Sequence, residues 1–266
     1  MPLASVRSMS ARALPALLLA ASLPLQAQIT PPQLDVPYVP TPEPVVARML
    51  EMADVQPEDY VIDLGSGDGR IAIAAVRDFD ARQALGVDLN PVRVSEAVEN
   101  AERAGVTDRV TFEEGDLFEK DISDATVLTM YLLPRVNLQL RPVILDTLEP
   151  GTRVVSHAFS MDEWEPDDTD VVSNSYIYLW IVPAKVDGDW QISTPEGDFS
   201  VSLMQQFQMV EGVAEGLEPG IVKGRLNGTQ IEFTLDDRHY VGTVNGDSIE
   251  PVSMEGAVAN WSARRN

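Results

Sequence analysis

The sequence predicts an α/β fold, in which helices wind a mostly parallel sheet on both faces and a small antiparallel β meander follows. Three observations carry this reading. Between residues 60 and 183, apolar runs of strand length alternate with segments of helical periodicity, the order that makes parallel strands joined by crossover helices. The first run ends in Gly65-Ser66-Gly67-Asp68-Gly69, a tight turn from strand to helix. Beyond about Asp187 the long helical patterns stop, and short β-type runs are punctuated by Asn-Gly pairs, which are strong local hairpin signals.

The first segment, residues 1–27, differs in kind from the rest. Arg7 and Arg12 precede an apolar stretch from Ala13 to Leu25, and the small Ala27 follows. This is the pattern of a secretory signal peptide, whose cut would leave an exported, periplasmic or secreted chain. A disordered or mitochondrial-type leader is the alternative, because the segment has no acidic residue and several Ser and Ala. Pro15, Pro24 and the short apolar length argue against a spanning helix, which needs about 20 apolar residues, so no stable membrane span is expected after leader removal. Residues 28–44 carry prolines at 31, 32, 37, 40, 42 and 44, too many for a regular helix or central strand. This lead-in should be extended and end where Thr41 caps a helix starting near Pro42. Val45, Val46, Met49, Leu50 and Ala53 then recur at helical spacing until Pro57.

The domain from 45 to 187 should hold strands at 60–64, 83–88, 108–113, 125–131, 152–159 and 174–183. Helices fill the gaps near 69–79, 91–105 and 134–148, the second opening with Asn90 as cap and Pro91 in the first position. Crossover helices between parallel strands give a doubly wound sheet. The region 188–266 should form the meander from runs at 199–210, 221–226, 229–235, 240–244 and 247–253, with turns at Asn227-Gly228, Asp236-Asp237 and Asn245-Gly246.

Composition excludes several chemistries. The 266 residues include 19 Lys and Arg against 42 Asp and Glu, a net charge of −23, so the surface lacks the cationic surplus that nucleic-acid phosphates require. Loss of Arg7 and Arg12 with the leader would leave 17 basic against 42 acidic residues, a net of −25. The chain has no cysteine and only His157 and His239, which rules out disulfides, thiolate metal sites and a Cys nucleophile and leaves little for a His-rich metal centre. No metal is expected. No G-x-S-x-G elbow supports a Ser/His/Asp set.

The chemistry concentrates at the carboxyl ends of successive strands. In Val61-Ile62-Asp63-Leu64-Gly65-Ser66-Gly67-Asp68-Gly69-Arg70, glycines allow the tight turn and let a ligand approach the backbone. A dinucleotide fingerprint, G-x-G-x-x-G, aims a pyrophosphate at the helix N-terminus. Here the spacing is G-x-G-x-G and Asp63 and Asp68 flank the turn, which repels a pyrophosphate and disfavours an NAD-dependent oxidoreductase. The same charges suit a ligand with an ammonium and a sulfonium and no phosphate, as in S-adenosylmethionine. Asp63 either hydrogen-bonds the turn or meets the ligand. The next strand ends Gly86-Val87-Asp88-Leu89-Asn90, and an acid at that distance from the turn can take both ribose hydroxyls of an adenosyl group. After the third strand comes Gly115-Asp116-Leu117-Phe118, where Asp116 either caps a turn or accepts from the adenine amino group, and Leu117 or Phe118 packs on the ring.

"VIDLGSGDGR", "GVDLN" and "EEGDLF" resemble the first three motifs of class I S-adenosylmethionine-dependent methyltransferases, over about residues 38–183. Within them, "PYVPTPEPVV" followed by "VIDLGSGDGRIAIAA" resembles the lysine methyltransferases that act on the ATP synthase c-subunit and the adenine nucleotide translocase. "YLLPRVNLQLRPVILDTLEPGTRVVSHAFSMDEWEPD" is similar to the corresponding stretch of exported bacterial relatives. The resemblance implies a Rossmann-like sheet and S-adenosylmethionine held by Gly65, Gly67, Gly69, Asp88 and Asp116, with Asn90 beside Asp88. It also implies that Tyr38 and Thr41 fold over the methionine end. The acceptor would be a protein amine, a lysine, or a small molecule, with a basic acceptor suiting the acidic surface and no nucleic acid.

The fourth strand leads into Thr129-Met130-Tyr131-Leu132-Leu133-Pro134. The Asn/Asp-Pro-Pro-Tyr pattern of base-methylating enzymes is absent. Tyr131 either lines the methyl-transfer channel, as the candidate catalytic residue, or packs at a strand end. His157 and the run 162–168 either form a substrate-facing lip or are a partly buried side chain and a solvated loop. A second function class also fits, a non-catalytic adenosyl-ligand or protein-binding module of the cell envelope.

Overall fold

The computed structural model describes residues 38–216 and 220–266. The expected leader, 1–27, and the start of the lead-in lie outside the described residues. From Tyr38 the chain enters α1 (Glu43–Met52), β1 (Tyr60–Leu64), α2 (Arg70–Arg77), β2 (Gln83–Asp88), α3 (Pro91–Ala104), β3 (Val110–Glu114), β4 (Val127–Met130), α4 (Pro134–Thr147) and β5 (Arg153–His157). A hairpin of β6 (Asp168–Val172) and β7 (Ser175–Ile181) completes a seven-stranded sheet of order β3-β2-β1-β4-β5-β7-β6. The first five strands are parallel and β7 runs antiparallel to β5 and β6. The order reverses between β1 and β4, so a crevice opens there at the carboxyl ends of the strands.

Parallel strands covered on both faces must be apolar on both. Val61, Val127 and Val155 pack under α1 and α2, while their neighbours Ile62, Leu128 and Val154 face α4. Asn90 caps α3 as expected, its side chain accepting from Val92 N at 3.0 Å. Thr41 does not cap α1. The N-cap is Pro42, with no side-chain cap bond, because the Thr41 hydroxyl is turned inward to His157 at 3.1 Å.

The connection from β5 to β6 contains no helix. Residues 158–167 instead fold Trp164 into the core on the α4 face, 5.9 Å from Trp180 and 6.0 Å from Phe207. Glu165 O accepts from Gln208 Nε2 at 2.7 Å, and Asp167 pairs with Arg225 at 2.6 Å. The acidic run is thus neither lip nor free loop; part of it fastens the α/β sheet to the C-terminal strands. The strand β6 was hidden from the sequence by its polar start, Asp168-Thr169-Asp170, and is fixed by a turn in which Ser173 and Asn174 both take positive φ, 52° and 66°, the form that matches strand twist.

The meander closes on itself. β8 (Gly188–Thr194), β9 (Gly197–Gln206), β10 (Met209–Ala214), β11 (Ile221–Asn227), β12 (Gln230–Leu235), β13 (Arg238–Asn245), β14 (Ser248–Pro251) and β15 (Ser262–Arg265) pair in chain order, and β15 returns to β8 to make a closed barrel. The single expected run 199–210 is two strands, split at Phe207, where φ is 54°. Eight strands leave an interior that side chains can fill. Phe233 stacks on Tyr240 at 4.8 Å and Trp261 meets both edge-on. Closure needs β8 and β15, whose short inward sets, Trp190 with Ile192 and Ala263, give weak sequence patterns.

At the amino edge, opposite the crevice, buried Asp59 accepts from Gln56 N and Thr126 Oγ1, each at 2.7 Å, and from Arg153. Thr126 Oγ1 in turn accepts from Tyr60 N at 2.9 Å, so one carboxylate ties the starts of β1, β4 and β5. Removing the cation would strand a buried charge, a loss of about 3–5 kcal/mol. Arg153→Met should therefore lower stability to urea by about 3 kcal/mol; a loss under about 1 kcal/mol would show that the tie is dispensable.

Candidate active site

Gly65, Gly67 and Gly69 all take left-handed φ, 75°, 55° and 79°, which a side chain would strain. At Gly67 space is also decisive, because a Cβ would lie 2.6 Å from the ring of Tyr38. The loop is bolted to the second strand end: Gly65 N and Ser66 N donate to Val87 O at 2.8 and 3.0 Å. Gly67 N donates to Asp88 Oδ2 at 2.9 Å, and Asn90 N donates to Asp88 Oδ1 at 2.8 Å. Two backbone donors thus orient the Asp88 carboxylate toward the crevice while leaving it lone pairs to spare.

The segment Tyr38–Thr41 crosses the crevice as a strap. Arg70 holds it, donating from Nη2 to Asp68 at 2.6 Å and from Nη1 to Thr41 O at 2.7 Å. Burial, and then the charge of the same Asp68 carboxylate, raise the Tyr38 hydroxyl above its ordinary pKa, and the Arg93 guanidinium lies 4.6 Å over the Tyr38 ring. Burial alone would raise the Asp68 carboxyl, but the Arg70 bonds outweigh it and hold the group below its ordinary pKa. Asp68 is thus paired within the chain while it lines the crevice.

Asp63 is fully buried and accepts from Thr129 Oγ1 at 2.8 Å. Desolvation pushes its pKa up to about 7; the Thr129 bond opposes this, and the charges of Asp88 and Asp68 add to it. At the other end, Asp116 Oδ1 accepts from Phe118 N at 2.9 Å, closing the turn that presents Leu117 and Phe118.

These groups surround a cavity of about 310 Å³, at the small end of ligand pockets. Tyr38, Thr41, Asp63, Gly65, Gly67, Asp68, Asp88, Asp116, Leu117 and Tyr131 all line it. Gly69 and Asn90 do not. Gly69 is the N-cap of α2, and the Asn90 side chain is used as the cap of α3. Arg70, Arg93, Leu132, Leu133, Val136 and Phe159 also line the cavity and escaped the sequence reading. Arg70 comes directly after the glycine motif, which was its available signal; Phe159 arrives only through the loop after β5.

Beyond Asp63 the wall becomes uncharged: Tyr131, Leu132, Leu133, Val136 and Phe159. The Tyr131 ring is stacked on Phe159 at 6.3 Å and lies 3.9 Å from the His157 ring on its other contact. His157 is 2% exposed, and burial drops its pKa to about 4, so the imidazole is neutral at physiological pH. Among the described residues its Nε2 has no partner. Of the two readings of His157, the structure has the buried side chain and not the lip.

Comparison with known proteins agrees with this geometry. The ANTKMT methyltransferase domain family matches residues 63–168. A protein-lysine N-methyltransferase of Saccharolobus islandicus is 50% identical over 151 residues, covering 55% of this chain and 94% of that protein. The chain belongs to this family of S-adenosylmethionine-dependent methyltransferases. The mouse adenine nucleotide translocase lysine N-methyltransferase is 36% identical over 51% of the chain, which spans 58% of that relative's length. Among solved structures, an RNA methyltransferase from Salinibacter ruber in complex with S-adenosyl-L-homocysteine is 53% identical, with a TM-score of 0.54, over 56% of this chain and 96% of that one. The methyltransferase therefore uses S-adenosylmethionine, and its own residues fit that cofactor. The glycine cradle admits no Cβ, the carboxylates suit a cation, and the lining arginine Arg70 is committed to Asp68.

The carboxylates allow two tests. Asp63 is protonated below about pH 7 in the free enzyme, and a ligand ammonium beside it favours the ionised form. Binding of S-adenosylhomocysteine should release close to one proton near pH 6 and almost none near pH 8, read from calorimetric enthalpies in buffers of different ionisation heat. Asp63→Asn should abolish the difference; a release that persists in that variant would reject Asp63 as the source. Asp88→Ala should weaken the same ligand about tenfold to a hundredfold, the equivalent of roughly 1.5–3 kcal/mol for a charged hydrogen bond, and unchanged affinity would remove Asp88 from the ribose contact.

Proposed function

We propose that this methyltransferase N-methylates a lysine side chain of a protein, in an exported compartment. The single observation that supports it most is the uncharged wall at the methyl-transfer edge of the cavity, Tyr131 with Leu132, Leu133, Val136 and Phe159. An aliphatic amine entering such a wall loses hydration, which disfavours its ammonium form and lowers its pKa. The channel thereby promotes the neutral nucleophile without a dedicated base, and the Tyr131 face tolerates the cation that forms as the amine is alkylated. Positioning then supplies most of the acceleration.

Bound in the cavity, S-adenosylmethionine supplies an electrophilic methyl group on a sulfonium sulfur. Asp63 would face its ammonium, Asp88 its ribose hydroxyls, and Asp116 its adenine amino group between Leu117 and Phe118. Tyr38 and Thr41, in the strap, would cover the methionine end. The names of the Saccharolobus and mouse relatives support lysine as acceptor, and the surplus of acidic residues supports a basic protein segment. The leader-like composition of residues 1–27 supports export. Among the described residues, no helix is long and apolar enough to cross a membrane.

The similarity to the Salinibacter protein raises RNA as a second acceptor. The net charge of −23 opposes it, since RNA phosphates need cationic partners. Incubating the full chain with methyl-tritiated S-adenosylmethionine and either envelope protein or total RNA separates the two. Protein label recovered as N-methyl-lysine after hydrolysis is the expected result; label confined to RNA, or absent from both while S-adenosylhomocysteine binds, would overturn the proposal.

A further inference from the structure

We propose that His157 is a positioning residue for methyl transfer, a link that sets the Tyr131 ring against the strap. The inference rests on the adenosyl-pocket reading and goes beyond it, because His157 is not in the cavity wall. It sits behind that wall at the end of β5. Its Nδ1 is 3.1 Å from Thr41 Oγ1 in the strap, and its ring centroid is 3.9 Å from that of Tyr131 at the end of β4. Thr41 is held from the other side as well, its carbonyl accepting from Arg70 at 2.7 Å. The strap thus has two anchors: Arg70 ties it to the cofactor loop, and His157 ties it to the acceptor wall.

The orphaned Nε2 points to a function other than fold stability. Burying a polar nitrogen without a partner costs free energy, and an apolar ring of similar size would avoid that cost. A phenyl ring in its place would keep the stacking and lose only the bond to Thr41. The imidazole supplies one nitrogen that holds the strap while its face supports Tyr131. Phe159, which lines the cavity, also stacks with Tyr131, so the Tyr131 ring has two aromatic neighbours. The anchor of the strap and the support of the Tyr131 ring are then the same side chain.

The test uses the full chain and three variants, His157→Phe, Thr41→Val and Thr41→Ser, with the double variant of the first two. By calorimetry with S-adenosylhomocysteine, His157→Phe and Thr41→Val should each weaken binding about fivefold to tenfold, and the double variant no further than the worse single, because both break one link. At saturating S-adenosylmethionine, on the protein acceptor that the wild type labels, kcat should fall more than tenfold in both while the acceptor KM stays within about twofold. Thr41→Ser, which keeps the hydroxyl, should restore both quantities, and it carries the test with Thr41→Val if His157→Phe does not fold. Losses that multiply in the double variant, or kcat unchanged at saturating cofactor, would overturn the link while leaving the adenosyl reading intact. Failure of the wild type to bind S-adenosylhomocysteine would overturn both.

Discussion

The site depends on one guanidinium. Arg70, in the first turn of α2, neutralises Asp68 and donates to the carbonyl of Thr41, which brings the lead-in back across the crevice. Without that cation the Asp68 carboxylate would stand against Asp63 and Asp88, and the strap would have no charged anchor on the cofactor loop. On the same strap, Tyr38 rests on Gly67 with its ring under Arg93. A charge-assisted pair that is three-quarters or more withdrawn from solvent on both sides is geometrically selective in a way that an exposed pair is not.

The carboxylates at the sheet edge are chemically different from one another because their surroundings differ. Asp68 is ionised and paired. Asp88 is oriented by two backbone donors. Asp63 is desolvated enough to titrate near neutrality, so it is the one whose charge a cationic ligand can switch on. The acidity of the cavity is therefore graded, and the wall of Tyr131, Leu132, Leu133, Val136 and Phe159 beyond it carries no charge. Under the proposed lysine methylation, that separation would give a cationic cofactor and a neutral amine different places to sit.

The barrel contributes to this arrangement from outside. The β5–β6 connection has no helix, and the space on that face is filled by Trp164, which Phe207 of the barrel packs against. Asn227-Gly228, a hairpin turn, presses on Gly151, where a Cβ at Gly228 would come within 3.0 Å of backbone, and Gly228 O accepts from Ala184 N at 2.8 Å. The barrel thus caps a sheet face and has no free edge of its own, which removes the pairing liability of an open meander.

The sequence by itself determined what adjacent residues can encode. The glycine turn after β1, the bounds of β1 and β2, the Asn90 cap, the family and the cofactor were legible because each lies in a short run whose spacing reflects backbone geometry. It did not show β6, β8 or β15, since edge and closing strands bury few side chains and their patterns are weak. It also read Thr41 as a cap, and it left His157 open between a lip and a partly buried side chain. The two meet across 116 positions, and nothing local to either announces the other. Only the tertiary structure decided which carboxylates stay ionised, where the strap is anchored and what stands behind Tyr131, because pKa and contact depend on burial among side chains that the chain brings together from distant strands.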